Sequence, residues 1–363
     1  MRSLKQFQPI GFVLILASAA FAQQYPQPAP QQRTLSEQPA TRPSATEPLG
    51  IALENYEYPF PVKFLEMDNE GQTVRMGYMD IDPSGTKNGQ TVVLLHGKSF
   101  AGYYWKPTID ALTANGYRVV VPDQVGFGKS SKPDLNYSFS LLATNTAKLL
   151  DSLKVDKAIV IGHSTGGMLA VKFAEMFPQR VTKLVLESPI GMEDYSKFIP
   201  AQTTETLYAA EMKDQDEKQV RDFYAAYFAD PKPSIVDPLA EIPLRVWLSG
   251  EYPRWAKAAA LTSKMIYEQP VRESYRSLGV PTLIVVGDRD RTVPMGEYVT
   301  GEVRGGLGNY PKLAKDAAGD LPHGRAEVLK DTGHVPHLER PSEFNQMVLN
   351  FIKDGEPKIT KTE

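Results

Sequence analysis

The chain has 363 residues, 40 basic against 43 acidic side chains, no cysteine, and 42% hydrophobic and 10% aromatic residues. That length and apolar content fit one large globular domain, or one carrying an inserted subdomain. The missing cysteine excludes disulfides, thiolate nucleophiles, Cys-ligated zinc or iron–sulfur clusters and cysteine lipid anchors, and a formal charge of −3 gives no basic footprint for nucleic acid.

At the N-terminus, Arg2 and Lys5 precede an apolar stretch from Ile10 to Phe21 that closes on Ala20-Phe21-Ala22. The stretch is too short for a membrane span and ends in a small-x-small site. Residues 1–22 therefore read as a secretory signal peptide cut after Ala22, with an uncleaved anchor as the alternative. There is no twin-arginine pair or lipidation cysteine, so general secretion to a periplasmic or extracellular location is the simpler route. Cleavage removes two bases and no acid, taking the charge from −3 to −5, and the mature chain is expected to have no stable membrane association. Residues 23–50 hold six prolines and six glutamines and read as a disordered linker, being unable to bury enough surface to offset chain ordering.

Val62–Met67 and Thr73–Ile81 flank Asp68-Asn69-Glu70-Gly71-Gln72, a strand–turn–strand signal. Short, nearly pure aliphatic runs follow at Val92–Leu95, Val119–Val121, Ala158–Ile161, Leu184–Leu186 and Leu283–Val286. Such runs fit strands buried on both faces of a parallel sheet. Between them Tyr104–Asn115, Phe139–Leu153 and Met168–Phe177 read as amphipathic helices, with Gly116 and Pro178 as stop signals. The alternation predicts an α/β fold with a mostly parallel central sheet and helices on both faces. Residues 191–277 break the rhythm with helical periodicity and no clear strand, so they read as a helical cap dividing a core of 51–190 and 278–355. The last strand–helix pair is expected near Ala326–Leu329 and Ser342–Ile352, and 356–363 as a flexible tail.

Gly162-His163-Ser164-Thr165-Gly166 has the spacing of a nucleophile elbow. The pattern alone is also compatible with a glycine-rich structural turn. Its context carries more weight: it follows the Ala158–Ile161 strand directly and opens a helix, where small neighbours relieve crowding and peptide dipoles favour negative charge. A serine hydroxyl needs a base, and the chain has only five histidines. His163 adjoins the serine and would point away from a sharp turn, which favours a packing role. His334, in the loop after the last predicted strand, is the preferred base, with His337 as its rival. The base needs a carboxylate to fix its tautomer. Asp288 and Asp290 follow the Leu283–Val286 strand, with Asp290 deeper in the loop, and Glu187 at the end of the Leu184–Leu186 strand stays open as an alternative. The order Ser164, Asp290, His334 is the one such a scaffold requires. Oxyanion donors are expected from the backbone N–H groups of Thr165 and Lys98, the latter in His96-Gly97-Lys98-Ser99-Phe100.

His96-Gly97, Asp123-Gln124-Val125-Gly126-Phe127-Gly128-Lys129-Ser130, the serine elbow with Gly167, Asp290-Arg291-Thr292-Val293-Pro294, and Gly333-His334 followed by Glu339-Arg340-Pro341 together resemble the α/β-hydrolase superfamily. The resemblance runs from about Tyr56 to Ile352. It implies Ser164 as nucleophile, Asp290 as acid, His334 as base, Lys98 and Thr165 as oxyanion donors, and a helical cap over the site. Two features depart from the pattern. A lysine follows His-Gly, which leaves open an anionic substrate or a salt bridge at the pocket mouth. The segment Gly301–Pro322 lengthens the Asp290–His334 gap and reads as an added surface loop or helix.

Serine at the elbow favours acyl transfer to water: a small carboxylic ester first, then lactones or amides. The expected partner is a small-molecule substrate, bound with contributions from His96, Ser99, Phe100, His163, Glu187 and Trp255. No metal cluster stands out and the chemistry requires no cofactor. A carbon–carbon bond hydrolase of the same fold is the runner-up. A ligand-binding protein on a hydrolase scaffold is the alternative from another class. Ten cap aromatics, Tyr195, Phe198, Tyr208, Phe223, Tyr224, Tyr227, Phe228, Trp247, Trp255 and Tyr267, are divided between an apolar acyl pocket and the cap's own core.

Overall fold

In the computed structural model, the described residues are 47–213 and 216–354. The expected signal peptide, residues 23–46 of the expected linker and the tail from 355 onward lie outside them. Eight strands, β1 (Val62–Asn69), β2 (Gln72–Ile81), β3 (Thr91–Leu95), β4 (Arg118–Pro122), β5 (Ala158–His163), β6 (Val181–Glu187), β7 (Thr282–Gly287) and β8 (Gly324–Leu329), form one sheet in the order β1-β2-β4-β3-β5-β6-β7-β8. β2 pairs antiparallel with both β1 and β4, and the pairings from β4 through β8 are parallel.

The helices in chain order are α1 (Lys106–Ala114), α2 (Phe139–Ser152), α3 (Thr165–Met176), α4 (Thr204–Glu211), α5 (Glu217–Ala225), α6 (Pro233–Trp247), α7 (Tyr252–Glu268), α8 (Gly301–Gly306), α9 (Tyr310–Asp320), α10 (Pro336–Glu339) and α11 (Pro341–Lys353). Alternate strand residues feed separate cores. Val92 and Leu94 pack with Ile109 of α1 and Phe344 and Val348 of α11, while Val93 and Leu95 pack with Leu142 of α2 and Leu169 and Phe173 of α3. Two-sided burial is why these strands are continuously aliphatic instead of alternating. Ser138 starts α2 at a defined place, its hydroxyl accepting the Leu141 N–H at 3.0 Å.

Residues 191–277 form α4–α7 with short 3₁₀ turns at Tyr195–Lys197 and Arg272–Ser277, and no strand among the described residues. Two expectations need correction. The chain already packs before residue 51: Leu49, counted with the linker, is fully buried with Ile51 and Leu53 against Ile242 and Val246 of α6 and Ala256 of α7. The Leu49 N–H also donates to the Arg245 carbonyl at 3.0 Å, so apolar spacing at 49, 51 and 53 outweighs the proline-rich composition. The segment 301–322 is not simply an added surface element. Only α8 is exposed, whereas α9 buries Tyr310, Ala314 and Ala317 against the sheet as the crossover from β7 to β8, which two parallel neighbours cannot do without. Among the described residues, no helix is long and apolar enough to cross a membrane.

Candidate active site

Ser164 occupies the turn between β5 and α3 with φ 56° and ψ −118°. A non-glycine residue there costs about 1–3 kcal/mol and persists only where its surroundings hold it. Here the Ser164 N–H donates to the Glu187 carbonyl at 2.9 Å and its carbonyl accepts the Gly167 N–H at 2.9 Å. The glycines on either side are required by contact distance: a Cβ on Gly162 would lie 2.2 Å from the Gly166 carbonyl oxygen, and one on Gly166 2.2 Å from that of Leu95.

The β7–α8 and β8–α10 loops bring two more side chains to the serine. His334 Nδ1 lies 2.7 Å from Asp290 Oδ2, and His334 Nε2 lies 2.9 Å from Ser164 Oγ. An ionised carboxylate only accepts, so Nδ1 carries the proton and Nε2 is left to accept from the serine hydroxyl. The other Asp290 oxygen accepts the Thr292 N–H at 2.9 Å, and both His334 and Asp290 are almost fully buried. Asp288 instead accepts the Thr332 N–H at 3.3 Å. Glu339 accepts N–H groups from Gly333 at 2.7 Å and from Asp230 of the cap at 2.8 Å. The cap also reaches the imidazole: the Tyr227 carbonyl accepts the His334 N–H at 2.6 Å, and the Tyr227 ring stacks on it with centroids 5.3 Å apart.

The rival base and the rival acid find each other. Glu187 accepts both the His337 N–H, at 2.8 Å, and its Nδ1–H, at 2.9 Å, in a fully buried pair. The His337 ring stacks on Trp105 at 4.1 Å. Glu187 therefore joins β6 to the start of α10 and does not line the cavity, contrary to the substrate-binding expectation. His163 and His96 depart from that expectation in the same way. His163 Nε2 donates to the His334 carbonyl at 2.8 Å, while its Nδ1 accepts from Tyr104, whose hydroxyl accepts the Gly97 N–H at 3.1 Å. Burial, and secondly the neighbouring His334, holds His163 well below the ordinary imidazole range, so it stays neutral. His96 Nε2 accepts the Gln124 N–H at 3.0 Å, and burial lowers its pKa as well. All three side chains point into the interior from strand ends, where the sheet's own burial claims them.

Ser164 opens on a cavity of about 460 Å³ between the core and the cap. Lys98, Ser99, Phe100 and Thr165 line it from the core, and Phe223, Tyr224, Tyr227 and Trp255 from the cap. Lys98, Ser99, Phe100 and Trp255 thus stand where a ligand would. Of the ten cap aromatics named above, four line the cavity, while others such as Tyr195, Phe228 and Trp247 are buried in packing. Gly97 passes so near the serine that a Cβ on it would meet Ser164 Cβ at 3.1 Å, which sets the Lys98 loop beside the elbow. Thr165 is the first residue of α3, where backbone N–H groups have no partner within the helix.

Three contacts tie this loop to the cap. Lys98 Nζ lies 3.4 Å from Glu211 Oε1, the Tyr224 hydroxyl donates to the Ser99 carbonyl at 2.9 Å, and the Ser99 and Tyr227 hydroxyls lie 3.4 Å apart. Burial raises both tyrosine pKa values, Tyr227 to about 12, so both remain protonated donors near neutrality. Glu211 and the roles of Tyr224 and Tyr227 are not visible in the sequence reading. The one local signal is the i, i+3 spacing of the two tyrosines, which puts them on one side of the chain as α5 ends. Among the described residues, no group of three or more His, Asp or Glu side chains is placed to hold a metal ion.

Comparison with known proteins places these features in context. Residues 90–341 match the family model described as the alpha/beta hydrolase fold. A 2-hydroxy-6-oxononadienedioate/2-hydroxy-6-oxononatrienedioate hydrolase of Klebsiella pneumoniae is 30% identical over 303 residues, covering 80% of this chain and 95% of the relative. The crystal structure of a probable hydrolytic enzyme from Pseudomonas aeruginosa superposes with a TM-score of 0.81 at 37% identity, covering 85% of this chain and 99% of that one. An N-acyl homoserine lactone degrading enzyme superposes with a TM-score of 0.59 at 26% identity, covering 79% of this chain and all of the other.

Proposed function

This chain belongs to the alpha/beta hydrolase fold family, and from that premise we propose that it is a serine hydrolase cleaving a small carboxylic ester or lactone through an acyl-enzyme. The carrying observation is the unbroken Ser164–His334–Asp290 hydrogen-bond chain whose serine opens on an aromatic-walled cavity. In this reading Ser164 Oγ attacks the carbonyl carbon while His334 Nε2 takes its proton, and Asp290 stabilises the imidazolium. The N–H groups of Lys98 and Thr165 meet the developing oxyanion. The imidazolium then protonates the leaving alcohol, and water activated by the same base releases the acid and restores Ser164.

A fluorophosphonate probe should label wild-type protein and not Ser164→Ala, and short p-nitrophenyl esters should give a burst of chromophore. Absence of both labelling and turnover in folded wild-type protein would favour the binding-protein alternative. Carbon–carbon cleavage is the second reading, favoured by the name of the 30% identical relative. Faster turnover of a ring-fission dienoate than of any ester would replace the first reading with it. Export belongs to the proposal as well: mature protein from the native host should begin at Gln23, and a protein retaining Met1 would count against it.

A further inference from the structure

Among the described residues lining the cavity, the lysine, arginine, aspartate and glutamate side chains are Lys98, Glu211 and Glu297. Lys98 is the one cation, and it stands in the loop that passes the serine elbow. Its ammonium crosses to Glu211 at the end of cap helix α4, 3.4 Å away, with the two side chains 28% and 32% exposed. A pair this open to water contributes little to stability. Its effect on a ligand is a separate matter. A carboxylate entering the cavity would be attracted by Lys98 only to the extent that Glu211 does not already cancel that charge, and Glu297 adds repulsion. The rest of the lining supplies hydroxyls and the Gln219 amide but no second cation, and removing a carboxylate from water without an opposite charge is costly.

We propose that Glu211 sets the substrate charge of this enzyme: by neutralising Lys98 it reserves the pocket for uncharged acyl and alcohol groups, and without it Lys98 becomes a receptor for a substrate carboxylate. The inference rests on the ester-hydrolase reading above. The difference lies in one side chain on a surface helix of the cap, so substrate charge is selected by an element apart from the catalytic relay.

The test compares two nearly isosteric esters, p-nitrophenyl 6-methylheptanoate and mono-p-nitrophenyl adipate, which differ in a terminal carboxylate. The readout is the ratio of kcat/KM for the anionic ester over the neutral one in wild type, Glu211→Gln, Lys98→Met and the double variant. Lys98→Met retains the backbone N–H and changes only the side chain. Wild type should prefer the neutral ester. Glu211→Gln should raise the ratio about tenfold, and about 0.5 M sodium chloride should remove most of that gain. The double variant should return the ratio to the wild-type value or below. A ratio unchanged in a Glu211→Gln variant that still turns over the neutral ester overturns the inference and leaves the ester reading standing. An equal rise in the double variant also overturns it, because Lys98 would then not be the receptor. A wild-type protein inert toward both esters sinks the ester reading, and the inference with it.

Discussion

Two histidine–carboxylate pairs flank the ring of His163. His334 holds Asp290 at 2.7 Å with its ring centroid 5.0 Å from that of His163, and His337 holds Glu187 at 2.9 Å with its centroid 5.6 Å away. Both pairs are buried and both join the end of a parallel strand to the same stretch of chain. They differ at the far nitrogen. His334 Nε2 meets Ser164 Oγ, whereas His337 Nε2 is buried with no hydrogen-bond partner and its ring lies against Trp105. Pairing an imidazole with a carboxylate therefore does not make a base. Of the two, only His334 stands against a hydroxyl beside the cavity, and the same pairing a few ångströms away ties β6 to α10.

Substitutions should separate the pairs by activity. The largest loss is expected from Ser164→Ala or His334→Ala, with kcat on esters falling by about 10⁴ or more and binding of a product acid little changed. Asp290→Asn should cost about 10²–10⁴ in kcat, because an amide no longer holds the His334 tautomer. Glu187→Gln is the contrasting case: turnover should stay within about tenfold, while urea denaturation shows a loss of about 1–3 kcal/mol from the weakened buried contacts to His337. A collapse of turnover in folded Glu187→Gln as deep as that of Asp290→Asn would erase the distinction between the pairs.

A smaller effect is expected from Lys132, another buried ionisable side chain outside the serine site. Its ammonium donates to the carbonyls of Gly128, at 2.7 Å, and Ser130, at 3.0 Å, and lies 4.9 Å from the Trp255 ring centroid. Burial lowers its pKa from 10.5 to about 7. Between those values the unfolded chain binds the proton that the folded one has lost, so stability rises with pH across the window. Below pH 7 both states are protonated and the term is flat. Denaturant titrations from pH 7 to 10 should show wild type gaining on Lys132→Met by at most about 1.4 kcal/mol per pH unit. A constant difference would contradict the lowered pKa.

The elbow, the strand runs and the Ser164, Asp290, His334 order were legible because each depends on neighbours in sequence: an aliphatic strand, small residues at tight contacts, a loop that follows a strand. The choice between Asp290 and Glu187 was not, because both end parallel strands and only the lateral placement of His334 and His337 distinguishes them. Helix α9 was obscured for a local reason. Its buried stripe is one tyrosine, Tyr310, and two alanines, Ala314 and Ala317, among lysines and aspartates, and this reads as solvent-facing until β8 is seen to need a crossover. The contact between Lys98 and Glu211 spans 113 positions, and no pattern along the chain reports how the cap settles on the core.

One main-chain bond couples the cap to His334. The Tyr227 carbonyl that accepts the His334 amide belongs to the cap, so raising the cap to admit a molecule would take away one of the bonds that hold His334, leaving those to Asp290 and His163. A raised cap and a fully held His334 would then exclude one another. A large substrate that needs the cap raised would have to wait for that bond to re-form at each turnover, while one that fits the closed cavity would not. Molecular size would in that way be sorted by time spent disarmed as well as by fit.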